Sequence, residues 1–121
     1  MKHIVTIDDD MFIRDLVGTK LSESYSVATA ATAAEGIKLI KKNATDLIIL
    51  DLELPDKHGF EVLKELKADP STNRIPVIIF SNNDAVEWRG KVTATGASDF
   101  FVKVNIEMNE LKEHVDEILK E

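Results

Sequence analysis

The chain contains no cysteine. Disulfides and thiolate metal sites are therefore excluded, and any chemistry must rest on oxygen and nitrogen groups. No apolar run approaches the roughly 18 residues that a membrane-spanning helix needs. Basic residues are in the minority, with 15 Lys and Arg against 22 Asp and Glu and a net charge of −7. That balance argues against nucleic-acid binding, which needs a basic footprint. With three prolines and five glycines in 121 residues, the chain shows no linker, low-complexity segment or internal repeat. Met1-Lys2-His3 leads straight into a strand-like run, so no signal peptide is expected and a cytoplasmic location is.

What is present is a hydrophobic fraction of 44%, enough for the core of one domain spanning residues 1–121. A diffuse acidic surface would account for the net charge as a solubility device. It does not account for Asp8, Asp9 and Asp10, three adjacent carboxylates with no basic residue beside them before Arg14.

Short apolar runs alternate with longer amphipathic ones. Strands are expected at 3–7 (HIVTI), 25–29 (YSVAT, a weak edge strand), 46–51 (DLIILD), 76–80 (PVIIF) and 99–103 (DFFVK). Helices are expected between them. The first, 11–23, spaces Phe12, Leu16 and Leu21 at helical intervals. The second, 32–42, opens with a capping box of Thr32 and Glu35. The third, 59–69, stops at Asp69-Pro70, because proline disfavours helix in the residue before it. The fourth, 84–95, is weakened by Gly90, Thr93 and Thr95 and closed by Gly96. The last is capped by Asn105 and carries an apolar stripe of Met108, Leu111, Val115, Ile118 and Leu119.

Five βα units with continuous apolar strands imply a parallel sheet covered on both faces. A flavodoxin-like, doubly wound α/β fold with strand order 2-1-3-4-5 accommodates five strands. Ligands then bind outside the carboxyl ends of strands 1 and 3. The residues that follow the strands are Asp8 and Asp9, Asp51, Ser81 and Lys103, and all of them would face one crevice. Three carboxylates there call for a cation. Mg²⁺ suits oxygen ligands and commonly takes one or two carboxylates together with waters and phosphate. One aspartate is left as a nucleophile able to form an acyl phosphate. Lys103 offsets charge on a phosphoryl oxygen, and the Ser81 hydroxyl hydrogen-bonds another. Asp10, one residue further on, suits the start of the first helix.

These segments together resemble the receiver domain of two-component response regulators, in particular the single-domain chemotaxis-type regulators. VTIDDDMFIR is similar to the family's first-strand motif and DLIILDLELPDKHGFEVLKEL to its phosphoacceptor segment; PVIIFS and GASDFFVK are similar to its fourth and fifth strands. The resemblance implies that Asp8 and Asp9 bind Mg²⁺ and that Asp51 is both phosphoacceptor and metal ligand. Glu53 would give a backbone carbonyl to the metal. Ser81 would be the switch hydroxyl, Lys103 the site lysine and Phe100 the switch aromatic. A sensor histidine kinase or phosphotransfer protein would supply the phosphoryl group. The surface of helix 4, strand 5 and helix 5 would then change and address a downstream protein. Such a domain promotes its own phosphorylation and dephosphorylation without being an enzyme in the usual sense. Direct nucleic-acid or membrane contact is not implied.

Two residues depart from the family pattern. Val104 follows Lys103 where proline in a cis bond is usual, and a trans bond is expected because a non-proline cis bond costs about 2.5–4 kcal/mol. Asn82 follows Ser81 where a small residue is usual, and would crowd the approach to Asp51. They keep open a receiver used as a phosphorylation-independent binding module. An FMN binder of the same fold is disfavoured, since aspartates after strand 1 repel phosphate. A haloacid-dehalogenase-type phosphatase would need an acidic motif after its lysine, where this chain has an apolar-striped helix. No effector domain is expected within residues 1–121 after the last helix, which fits either a stand-alone receiver or one taken from a longer protein. His58 is expected as a turn residue before Gly59, Trp88 to pack with Ala85 and Val92, and Asn83 to flank the site.

Overall fold

The computed structural model describes residues 1–82 and 86–120, the side chains of residues 86, 87 and 105 excepted. The expected parts played by Asn83, by Asp84 and Ala85 at the start of helix 4, and by the Asn105 side chain lie outside the described residues. The elements run β1 His3–Ile7, α1 Met11–Leu21, β2 Ser26–Ala30, α2 Ala33–Lys42, β3 Leu47–Leu50, α3 Gly59–Ala68, β4 Val77–Ser81, α4 Val86–Thr95, β5 Asp99–Val102 and α5 Met108–Leu119. All strand pairs are parallel, in the order β2-β1-β3-β4-β5, as expected.

Residue parity sorts the strand side chains between two layers. Val5, Ile7, Ile48, Leu50, Val77 and Ile79 face α2, α3 and α4, together with Ala33, Ile40, Val62, Leu63, Leu66 and Val92. Ile4, Leu47, Ile49, Ile78 and Phe80 face α1 and α5, together with Val17, Leu21, Leu111 and Val115. This two-sided burial explains why β3 and β4 read as unbroken apolar runs.

Local chemistry sets the helix ends. The Asp10 side chain accepts from the Phe12 and Ile13 amides at 2.9 and 3.3 Å, so the third aspartate is a helix cap. Thr32 Oγ1 accepts from the Glu35 amide at 3.1 Å. Asp56, from the loop after β3, takes the Ala33 and Ala34 amides of the same helix at 2.9 and 3.0 Å. α3 ends at Ala68, before Asp69-Pro70. Gly96 closes α4 at φ +114°, where a side chain would be strained.

Two expectations need correction. In α1 the buried residues are Val17 and Leu21, whereas Phe12 and Leu16 are 68% and 38% exposed. The stripe against the sheet runs through Ile13, Val17 and Leu21, one residue round the helix from Phe12 and Leu16. These two line a groove beside Met108 instead. The last helix starts at Met108 rather than directly after residue 105, because Lys103–Asn105 form a 3-10 turn and Ile106 and Glu107 are extended. Among the described residues no peptide bond is cis, so Lys103–Val104 is trans as expected. No described helix is long and apolar enough to cross a membrane.

Candidate functional site

Strand register builds the crevice. Ile7 is level with Leu50, and Ser81 with Val102. The residues that follow, Asp8, Asp51 and Lys103, therefore leave the sheet at one edge. The ladder continues one step further, with the Asp8 amide on the Ala30 carbonyl and the Asp51 amide on the Ile7 carbonyl, both at 3.0 Å. The two backbones are thus held before their side chains meet anything.

The centre of the site is an ion triad. Lys103 Nζ lies 2.6 Å from Asp8 Oδ2 and 3.1 Å from Asp51 Oδ2, and all three side chains are at most 7% exposed. Burial raises the Asp8 pKa above the ordinary carboxylate value, opposed by the bond from Lys103. For Lys103, burial works against the ammonium, but the bonds and charges of Asp8 and Asp51 outweigh it and raise its pKa. A buried ion pair is poor evidence of stabilisation, because desolvation offsets much of the attraction.

Neighbouring groups orient the triad. Asp8 Oδ1 accepts from the Asp10 amide at 3.0 Å, and its carbonyl accepts from Arg14 Nη1 at 2.9 Å. Asp51 Oδ1 accepts from the Glu53 amide at 3.3 Å. The loop returns tightly at Gly59, whose amide donates to the Leu52 carbonyl at 2.7 Å. A Cβ on Gly59 would stand 2.2 Å from the Asp51 carbonyl oxygen, so only glycine lets α3 start against the Asp51 backbone.

Oxygens of Asp8, Asp9 and Asp51 all lie within 4.8 Å of one another. Three carboxylates against one ammonium leave negative charge uncompensated. Carboxylate oxygens at this spacing fit a hard divalent cation such as Mg²⁺. Asp9 is exposed while Asp8 and Asp51 are buried, so the cluster opens on one side to solvent. The opening is a polar cavity of about 170 Å³ lined by Asp9, Asp10, Asp51, Glu53, Asn82 and Lys103.

The sequence-derived residues divide accordingly. Asp8, Asp9, Asp51 and Lys103 come together, Glu53 lines the mouth, and Ser81 is fully buried at the end of β4. Asn82, exposed, lines the cavity at the point where crowding was expected. Phe100 stands apart from the lining. It is 6% exposed, with the Arg89 guanidinium 4.6 Å above its ring and Arg89 Nη1 donating to its carbonyl at 3.3 Å. Sequence reasoning missed Arg14, Asp56 and Arg89, which act on backbone groups 6, 22 or 23, and 11 positions away.

The sequence profile of the family described as "Response regulator receiver domain" matches residues 4–116. The transcriptional regulatory protein GlrR of Escherichia coli (strain K12) is 31% identical over 121 residues, covering 98% of this chain and 26% of that protein. The transcriptional regulatory protein CiaR of Streptococcus pneumoniae (strain ATCC BAA-255 / R6) is 32% identical over 120 residues, covering 99% of this chain and 52% of that protein. The chain thus spans between a quarter and a half of these relatives. The crystal structure of a response regulator receiver domain protein (CheY-like) from Methanospirillum hungatei JF-1 superposes with a TM-score of 0.87. It is 30% identical, over 97% of this chain and 92% of that one.

Proposed function

Because the chain belongs to the receiver-domain family of two-component response regulators, we propose that Asp51 accepts a phosphoryl group from the phosphohistidine of a sensor histidine kinase or phosphotransfer protein. The observation that carries this reading is the buried triad, in which Lys103 Nζ touches both Asp8 and Asp51 beside a third carboxylate.

In the transfer, an Asp51 carboxylate oxygen attacks phosphorus. The P–N bond breaks, and its electron pair leaves with the imidazole nitrogen. Lys103, already in contact with Asp51, offsets charge on a transferred oxygen. Ser81, at the end of the neighbouring strand, offers its hydroxyl to another. The fixed Asp51 backbone keeps the nucleophile aimed, so that positioning supplies part of the rate. Asp8, Asp9 and Asp51, with the Glu53 carbonyl, would hold Mg²⁺. When bound, that ion supplies charge neutralisation for the incoming phosphoryl oxygens.

The added charge then acts on its surroundings. Phe100, already buried beneath Arg89, is the side chain whose packing would register the change on the surface of α4, β5 and α5. A downstream protein reading that surface, in the cytoplasm, completes the proposal. Incubation with acetyl phosphate and Mg²⁺, followed by intact-mass measurement, tests it. A gain of one phosphoryl group is expected, lost in Asp51→Asn and without Mg²⁺. No adduct under any condition would leave the chain a binding module with a receiver fold.

A further inference from the structure

Among its described side chains, α4 has few in the core. Its described core contribution is Val92, and a Cβ on Gly90 would meet nothing within 4 Å. A lateral contact of α4 is made by Trp88, the chain's single tryptophan. The indole stacks on the His58 ring at 4.5 Å between centroids and 25° between planes. Lys91 Nζ lies 4.9 Å from the same ring, and Phe60 packs against it at 5.4 Å.

His58 is not an arbitrary surface partner. It is the last residue of the loop that begins at Asp51, and its Nδ1 accepts from the Phe60 amide at 3.1 Å, capping α3. The next residue, Gly59, is pressed against the Asp51 carbonyl and bonded to Leu52. The imidazole is therefore indexed to the Asp51 backbone at one end and in contact with α4 at the other. We propose that the stacked His58–Trp88 pair is a mechanical link, separate from Phe100, that passes a change at Asp51 to α4. The inference rests on Asp51 being the phosphoacceptor and adds the route by which its loading reaches a helix on the neighbouring element. Loading changes α4 only if it changes a contact α4 makes, and this stack joins the loop of the nucleophile to that helix directly.

Two substitutions separate the ring from the cap. His58→Asn keeps an acceptor for the Phe60 amide and removes the ring; His58→Phe keeps a ring and removes the acceptor. Each full-length protein is loaded with beryllofluoride and Mg²⁺, and loading is counted by fluorine NMR of the bound species. The readout is the loading-dependent change in amide hydrogen exchange across residues 86–95, with Trp88 emission alongside. In the wild type, loading is expected to change both. In His58→Asn, loaded to the same extent, the exchange change should fall about threefold or more, the shift in equilibrium that loss of one aromatic pair produces. His58→Phe should retain it. The link is overturned if loaded His58→Asn responds like the wild type, if loaded His58→Phe fails as His58→Asn does, or if the loaded wild type shows no change in α4. Should the wild type bind no beryllofluoride at all, the phosphoacceptor reading fails first and the link falls with it.

Discussion

α2 and α4 cover the same face of the sheet and are ten residues long each, yet they are held by opposite means. α2 buries Ala33, Gly36 and Ile40, and its first turn is bonded to both Thr32 and Asp56. Its glycine sits against the core, where an added Cβ would stand 2.3 Å from Ile7 Cδ1. Among the described side chains, α4 buries Val92 and leans on Trp88, stacked on His58, and Arg89, over Phe100. α2, with more buried residues and a bonded first turn, should therefore open less readily than α4.

The two glycines offer the sharpest way to break that comparison. Gly36→Ala should destabilise by about 1–3 kcal/mol, the usual cost of overpacking a filled core, seen as a lower midpoint in urea. Gly90→Ala should do the reverse, stabilising by about 1 kcal/mol through helix propensity alone. A destabilised Gly90→Ala would mean that α4 is packed as tightly as α2. Asp56→Ala probes the α2 cap and should have the smallest effect. The Ala33 and Ala34 amides hold the Asp56 carboxyl below the usual carboxylate range. A depressed folded-state pKa contributes stability above the unfolded value and loses it as pH falls through the folded one. The melting temperature of Asp56→Ala should therefore trail the wild type at neutral pH and converge with it in acid.

Much of this was legible in the sequence, for physical reasons. LIIL and VIIFS are buried on both faces, so their continuous apolarity announces parallel strands, and in a parallel sheet the residue after each strand must reach the same edge. That is why Asp8, Asp51 and Lys103 could be placed at one edge from the sequence. Asp10 could be separated from its neighbours because a cap sits at a defined offset from its helix. The face of α1 is ambiguous because Phe12–Leu16 and Ile13–Val17 are two apolar pairs at the same spacing, both compatible with Leu21, and only contact with the sheet decides between them. The Asp56 cap, the His58–Trp88 stack and the Arg89–Phe100 contact join residues 22 or 23, 30 and 11 positions apart. Pairings of that kind are set by tertiary placement rather than by local pattern.

Asp51, and no other carboxylate of the cluster, is the residue proposed to receive the phosphoryl group. An acyl phosphate is reduced by borohydride to the alcohol, which turns an aspartyl phosphate into homoserine. The protein treated with acetyl phosphate and Mg²⁺, reduced, digested and sequenced by tandem mass spectrometry, should carry homoserine at position 51, with Asp8 and Asp9 intact. Homoserine at position 8 or 9 with Asp51 unmodified would contradict the account.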